Sequence, residues 1–366
     1  MTCSGWTTAG PEHKYPDKTS PMWQVIGQPK AIKLFEQALQ TGSLAHAYLL
    51  VGPPRVGKGT LAINLAQALN CTGAAPPCGQ CSPCLRIAQA KHADVKTIRL
   101  DDSDGDDRAH QEISTEDIKE LQYFASLPPY EGRYRVFIID GAENMSAEAS
   151  NRILKVLEEP LPHVVWLLLV VEEARILPTV ASRCQRVGLR PVAAGEVARL
   201  LQEHHGLDGT KAELLARLSA GCPGWAVSAA GDGRLLEERS RRLGALVDLI
   251  ATGLNDRLQA ALELSRGVEK NRRAAVELLK GWLGFWRDVL LVKNACDAGV
   301  VNIDYLATMS QLASSLSLAE IKRVVDQLNE AIDQIGRNAN TQLVLEVLFL
   351  NLPYCPVGPL PARDGA

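Results

Sequence analysis

Three groups of residues in this chain have the types and spacing to do chemistry. The densest is a run of four cysteines, Cys71, Cys78, Cys81 and Cys84, spaced C-x6-C-x2-C-x2-C within "CTGAAPPCGQCSPC". Four thiolates this close can complete a tetrahedral Zn²⁺ site. With four protein ligands no coordination position is left open, so such an ion is structural rather than catalytic. The intervening glycines and prolines permit the tight turns that converge the sulfurs. Reduced cysteines packed without a metal are the alternative.

The second group is "VGPPRVGKGT", Val51 to Thr60. Gly52, Gly57 and Lys58 fit the phosphate-binding loop G-x-x-x-x-G-K, whose backbone N–H groups cradle phosphates at a helix N-terminus. The motif continues with Ser or Thr, whose hydroxyl binds Mg²⁺. Here Gly59 stands in that place. Thr60 lies one residue later, roughly 100° further round the helix, and is expected to point elsewhere. The third group is "VFIIDGAENM". ATPases of this type end a buried strand in Asp followed by a Glu that polarises water. Asp140 is present, but Gly141 occupies the Glu position. Glu143 reads as a surface or helix-cap residue. Two separate parts of a hydrolytic site are therefore missing.

These groups need a scaffold, and the patterning supplies one. "AYLLVG" reads as a strand entering the phosphate loop, and "TLAINLAQALN" as the helix leaving it, with Leu61, Leu65, Ala68 and Leu69 at helical spacing. Arg135–Asp140 reads as a second buried strand and "VVWLLLVV", Val164 to Val171, as a third. Between them "SAEASNRILKVLEEP" reads as a helix opening on Ser146 and stopping before Pro160. Strands alternating with helices predict a parallel sheet with helices on both faces. After Pro191 strand patterns cease. Residues 192–236 read as a small helical unit broken at "AGCPGW", and 237–353 as wholly helical. The acidic run Asp101–Asp107 fails as a calcium loop, because Leu100 and Gln111 fall at ligand positions, and it reads as a solvated loop.

The 366 residues suffice for two or three domains, and 46% hydrophobic with 22% charged residues is ordinary for a globular protein. A net charge of −3 argues against a chain dominated by nucleic-acid affinity, and 5% aromatics against base-stacking platforms. No apolar run approaches the ~20 residues that span a bilayer. Residues 1–21 lack the apolar core of a signal peptide and read as a disordered extension, with Met22 a plausible alternative start. Residues 354–366 read as a disordered tail. Five further cysteines, Cys3, Cys184, Cys222, Cys296 and Cys355, are scattered.

Taken in order, the motifs resemble the AAA+ clamp-loader family of bacterial DNA polymerase III. The resemblance is carried by "WQVIGQPKAIKLFEQALQTGSLAHAYLLVGP", by the cysteine module after the phosphate-loop helix, by "DGAENMSAEASNRILKVLEEP" and "ILPTVASRC", and weakly by "RNANTQLVLEVLFLNLP". It implies an α/β AAA+ P-loop domain over 22–191 with the zinc module at 71–84. A small helical lid over 192–236 and an oligomerising helical collar over 237–353 would follow. It also implies a cytoplasmic replication protein acting in a hetero-pentamer with gamma/tau and delta subunits, on a sliding clamp and primer-template DNA, away from membranes.

Within the family gamma/tau is the ATPase motor. In this chain Gly59 and Gly141 are losses in the nucleotide site. Val170 and Val171 replace the polar sensor-one residue, and Trp225 replaces the sensor-two arginine. These favour the delta-prime branch, non-hydrolysing and without autonomous ATPase activity; an active gamma/tau-type ATPase is the alternative. Arg183 in the intact "SRC" would then be an arginine finger reaching a neighbour's ATP in trans. Read alone, it is an ordinary surface arginine. Gly52, Gly57, Lys58, Thr60 and Asp140 would form a degenerate cis nucleotide site. His46 reads as structural. Asn151, Arg152, Leu154, Lys155 and Leu157 lie on the helix that in the family faces the DNA chamber.

Overall fold

The fold was taken from a computed structural model, which describes residues 22–99, 112–268, 272–337 and 339–355. The acidic run Asp101–Asp107 and the extension 1–21 lie outside the described residues.

The elements run α1 (Pro29–Thr41), β1 (Ala47–Val51), α2 (Lys58–Asn70), α3 (Ser82–Ala88), β2 (Val95–Arg99), α4 (Thr115–Ser126), β3 (Arg135–Asp140), α5 (Ala147–Glu158), β4 (Val164–Val170), α6 (Pro178–Ala181) and β5 (Gln185–Gly188). Helices follow: α7 (Ala194–His205), α8 (Gly209–Leu218), α9 (Pro223–Gly231), α10 (Gly233–Ala251), α11 (Leu254–Val268), α12 (Arg272–Lys293), α13 (Leu306–Ser315), α14 (Leu318–Gly336) and α15 (Thr341–Asn351).

The five strands form one sheet in the order β2-β3-β4-β1-β5, and every pairing is parallel. Side chains alternate across the sheet with period two. Tyr48, Leu50, Val136, Ile138, Val165, Leu167 and Leu169 pack with Phe35, Leu61 and Leu65 of α1 and α2 on one face. Leu49, Phe137, Ile139, Trp166 and Leu168 pack with Leu121, Ile153 and Val180 of α4, α5 and α6 on the other. Phe137 and Trp166 stack at 4.5 Å between centroids. The central strand β4 is buried along its whole length, so it has to be apolar at every position. A cut such as Leu167→Ala there costs ~2–5 kcal/mol, because the close-packed layers cannot refill the space.

The three strands expected from sequence are present, β3 with the expected bounds and β1 and β4 each one residue shorter. Two more were not expected, β2 and β5. Both are sheet edges with polar, half-exposed sequences, "VKTIR" and "QRVG". An edge strand buries only part of its surface, so its pattern loses the apolar signal.

The chain divides into two compact units. One runs to Leu200 and takes in Gly221–Trp225; the other comprises Leu201–Ala220 and the chain from Ala226 onward. Residues 192–236 are thus shared between them. Among its described residues the second unit is all-helical around a core that includes Leu246, Ile250, Leu279, Phe285, Trp286, Leu312, Ile321, Leu328 and Phe349. Within it the buried Arg257 donates to the carbonyl oxygens of Leu249, Ile250, Phe349, Leu352 and Pro353, tying the ends of α10 and α15 together. Cys355 is buried and its N–H donates to the Ile250 carbonyl. The tail expected from 354 therefore starts on an exposed Tyr354 but has a packed second residue, and the expectation is corrected at Cys355: the α10 carbonyl gives it a partner that composition alone does not reveal.

Candidate functional sites

In a parallel sheet all strands end on one side, and ligands bind in the crevice beyond those ends. The loop after β1, Asp140 at the end of β3 and Val170 at the end of β4 all lie there. Gly57 caps α2 with φ +110°, a left-handed conformation that L side chains rarely adopt, so glycine is required. Lys58 is buried at 7% exposure, and its ammonium donates to the carbonyl oxygens of Gly52 at 2.6 Å and Pro53 at 3.0 Å. Burial holds the Lys58 pKa below its ordinary value, with partial opposition from Asp140, Glu143 and Cys222. Thr60 is exposed.

The two missing groups differ structurally. A Cβ at Gly59 would meet nothing within 4 Å, so the loop has room for a hydroxyl side chain there. Gly141 has φ +78°, and a Cβ there would come within 3.0 Å of the Asn144 amide. The backbone at the expected Glu position is thus turned into a conformation only glycine adopts comfortably.

Glu143 is neither a surface nor a helix-cap residue, which corrects the sequence reading. It sits on a 3₁₀ turn, Ala142–Asn144, and its Oε1 accepts from the Val171 N–H at 3.1 Å. Its Oε2 is buried without a hydrogen-bond partner. Glu143 therefore bridges the ends of β3 and β4 and adds a second carboxylate to the field of Lys58. The 3₁₀ turn after Asp140 brings the Glu143 side chain to the end of β4, which spacing along the sequence does not reveal.

The segment Gly221–Trp225 also reaches the loop. The Gly224 N–H donates to the Arg55 carbonyl at 3.0 Å, and Arg55 itself adopts φ +60°. Cys222 packs against the core beneath the loop, and burial pushes its thiol pKa up. Val170 is fully buried and Trp225 half-buried.

Arg183 follows α6 on the same unit. Its Nη2 lies 2.7 Å from Glu158 Oε1, at the end of α5, and its Nη1 donates to the Thr179 carbonyl at 2.8 Å. Cys184 packs into the core, where burial pushes its pKa up to about 12, so it is an anchor rather than a nucleophile. The His46 Nε2 bonds the Leu157 carbonyl at 3.1 Å, fixing the start of β1 to the end of α5. Asn151, Arg152 and Lys155 are exposed on α5, while Leu157 is core and Leu154 half-buried. Arg152 pairs with Gln122 of α4.

The four cysteine sulfurs lie within 4.8 Å of one another and could hold a metal ion. The Cys71 and Cys81 sulfurs are 3.8 Å apart, matching the ~3.8 Å edge of a tetrahedron with Zn–S bonds of about 2.3 Å. The N–H groups of Gly73 and Cys81 point at the Cys71 and Cys78 sulfurs at 3.3 Å, as thiolates favour. Burial works against ionisation of Cys81, but hydrogen bonds from Thr72 and Cys84 bring its pKa down to about 6. All four residues fit a closed structural site.

Sequence reasoning missed what joins this module to the phosphate loop. Gln67 of α2 donates to the Cys84 carbonyl at 2.9 Å and accepts from Asn64 at 3.0 Å. Asn64 in turn accepts from the N–H groups of Gln24 and Val25 at 2.8 and 3.3 Å. Val25 lies against Gly57. The Met22 N–H donates to the Pro77 carbonyl at 2.7 Å. The available signal was a row of buried polar residues at three-residue spacing, Asn64, Gln67 and Asn70, on a helix whose remaining buried positions after Lys58 are apolar.

The sheet order, the phosphate loop after β1 and the acid at the end of β3 define a P-loop protein of the AAA+ class. Comparison with known proteins gives the family. Residues 27–193 match the model described as DNA polymerase III, delta subunit, and residues 235–353 match DNA polymerase III, delta subunit, C terminal. The chain is 29% identical over 358 residues to DNA polymerase III subunit gamma/tau of Mycobacterium tuberculosis, covering 90% of this chain and 60% of that protein. It is 26% identical over 326 residues to DNA polymerase III subunit delta' of Bacillus subtilis, covering 89% and 96%. It also resembles the solved structure of a gamma subunit-related protein of Thermotoga maritima, with 18% identity and a TM-score of 0.42 over 87% of this chain and 99% of that one. The chain spans about 60% of the length of the gamma/tau relatives it matches first. It belongs to the clamp-loader family of DNA polymerase III. Among the described residues no helix is long and apolar enough to cross a membrane.

Proposed function

We propose that this chain is a non-hydrolysing, delta-prime-type subunit of the DNA polymerase III clamp loader that donates Arg183 to the ATP site of a neighbouring subunit. The observation that carries the reading is a contrast within one unit. Gly59 offers no Mg²⁺ ligand, Gly141 is set in a glycine conformation where an acid is needed, and Lys58 is bonded to its own loop. Arg183 meanwhile is part-exposed, with a guanidinium able to neutralise phosphoryl charge in trans. In this reading the chain works in the cytoplasm, in a hetero-pentamer with gamma/tau and delta subunits. The assembly loads the sliding clamp onto primer-template DNA. The four cysteines hold one structural Zn²⁺. Gly52, Gly57, Lys58, Thr60 and Asp140 are a retained scaffold rather than a working site. The test is ATP turnover by the reconstituted loader carrying Arg183→Ala: a rate equal to wild type removes the trans role.

A second reading, an active gamma/tau-type ATPase, draws on Lys58 and Asp140 and on the similarity to gamma/tau relatives. It requires Mg²⁺-dependent ATP turnover by the isolated chain; the first reading requires none above background.

A further inference from the structure

We propose that Glu158 is a positioning residue for Arg183, holding the guanidinium ready for a polyphosphate; the inference rests on the reading that Arg183 acts in trans. The backbone around Arg183 is already anchored. Its N–H donates to the Val180 carbonyl, Val180 is fully buried, and Cys184 packs into the core. That leaves the long side chain as the mobile part. Three contacts hold its far end: Nη2 to Glu158 Oε1 at 2.7 Å, Nη1 to the Thr179 carbonyl at 2.8 Å, and Nη1 to Ser182 Oγ at the longer distance of 3.5 Å. An arginine carries five N–H donors in a planar fork. These contacts set the plane and leave two donors, the Nε N–H and the second Nη2 N–H, for an incoming anion.

The placement of Glu158 argues for a role in this pair. It is the last residue of α5, where a negative charge opposes the helix dipole. The guanidinium compensates it directly, and Lys155 adds a second positive charge in the same last turn. Both side chains are substantially exposed, at 36% for Arg183 and 52% for Glu158. Exposed pairs add little to stability, so the contact is accounted for by orientation rather than by holding the fold. The α5 end that carries Glu158 is itself fixed by His46 on the Leu157 carbonyl. The chain His46, α5, Glu158, Arg183 therefore ties the direction of the guanidinium to the sheet. Ordering an arginine before it meets its anion removes a cost that binding otherwise bears.

The experiment uses the full chain assembled with its clamp-loader partners, with steady-state ATP turnover measured in the presence of clamp and primed DNA. Glu158→Ala is expected to lower kcat by about 3- to 10-fold with KM unchanged, the range set by ordering one long side chain. Glu158→Gln, which keeps an acceptor, is expected to retain more than half of the wild-type rate. Glu158→Ala combined with Arg183→Ala should be no slower than Arg183→Ala alone. Glu173→Ala breaks a neighbouring exposed pair with Arg186 and should leave the rate unchanged. Assembly and melting temperature should stay at wild-type values in all variants, separating orientation from folding. If Arg183→Ala is slow but Glu158→Ala runs at the wild-type rate or faster, the positioning role is wrong and the trans role stands. If Arg183→Ala runs at the wild-type rate, both fall together.

Discussion

The Lys58 ammonium donates to the carbonyl oxygen of Gly52, six residues back in the same loop, at 2.6 Å. A second bond, to Pro53, satisfies it further. For a phosphate to use this lysine, both bonds have to open. Without a Mg²⁺ ligand at position 59, the incoming charge also faces Asp140 and Glu143, both of which act electrostatically on Lys58. The isolated chain is therefore expected to bind ATP with a Kd of about 1 mM or weaker, and without dependence on Mg²⁺. Titration calorimetry with and without Mg²⁺ checks this. A micromolar, Mg²⁺-dependent Kd contradicts it.

The two glycines in the nucleotide site should respond oppositely to substitution. Gly59 lies in the first turn of α2 with open space around its Cα. Gly59→Ala is expected to be neutral or stabilising, by roughly 0.5 kcal/mol, because glycine loses more backbone freedom on folding. Gly141→Ala forces a side chain into φ +78° beside Asn144 and is expected to cost roughly 1–2 kcal/mol. Urea unfolding of both variants measures the difference. Gly59→Thr alone should leave ATP turnover at background, since the position that would supply the acid remains turned away.

The physical reason some of this was legible in sequence, and some not, is burial. β1, β3 and β4 are covered on both faces, so each has to be an apolar run, and such runs are visible. β2 and β5 are edges and carry Lys96, Thr97, Gln185 and Arg186, which read as loop. The cysteine cluster and the phosphate loop were legible because their chemistry depends on local spacing. Glu143 was misread because a 3₁₀ turn, set by Gly141 at positive φ, returns it to the strand ends. The bond from Gly224 to Arg55 joins residues far apart in sequence, so no local pattern announces it.

The buried relay from Cys84 through Gln67 and Asn64 to the N–H groups of Gln24 and Val25 makes a second kind of prediction. Purified protein is expected to carry about one Zn²⁺ per chain. Removing the ion by chelation should loosen the cysteine turns and withdraw the Cys84 carbonyl from Gln67. Hydrogen exchange at Gln24 and Val25 should then quicken, although neither residue is near the sulfurs in sequence. Gln67→Leu, which keeps the shape but deletes both bonds, should quicken the same amides with zinc retained. It should also cost about 1–3 kcal/mol, because Asn64 and the Cys84 carbonyl lose partners. Unchanged exchange at these two amides after complete zinc loss rejects the coupling.

Asp94 makes the acid-sensitive contact that sets the approach to β3. It is 2% exposed, and its carboxylate accepts from the N–H groups of Tyr130, Glu131 and Gly132 at 2.7, 2.8 and 2.7 Å. Burial pushes its pKa up, but the three N–H donors and Arg135 outweigh burial, so the folded value lies below the usual 3.8. The unfolded chain therefore binds the proton more readily than the folded one. The stabilisation is fully present above the unfolded value near 3.8 and is lost as pH falls from there through the lower folded value. Asp94→Asn leaves an amide N–H₂ facing backbone donors and is expected to cost about 3 kcal/mol at neutral pH. Melting temperatures of the two proteins, well apart at pH 7, should converge as the pH is lowered below 3.8, where the wild-type carboxylate takes up its proton. A gap that stays constant through that range would show that the charge on Asp94 contributes nothing to holding the Tyr130–Gly132 turn.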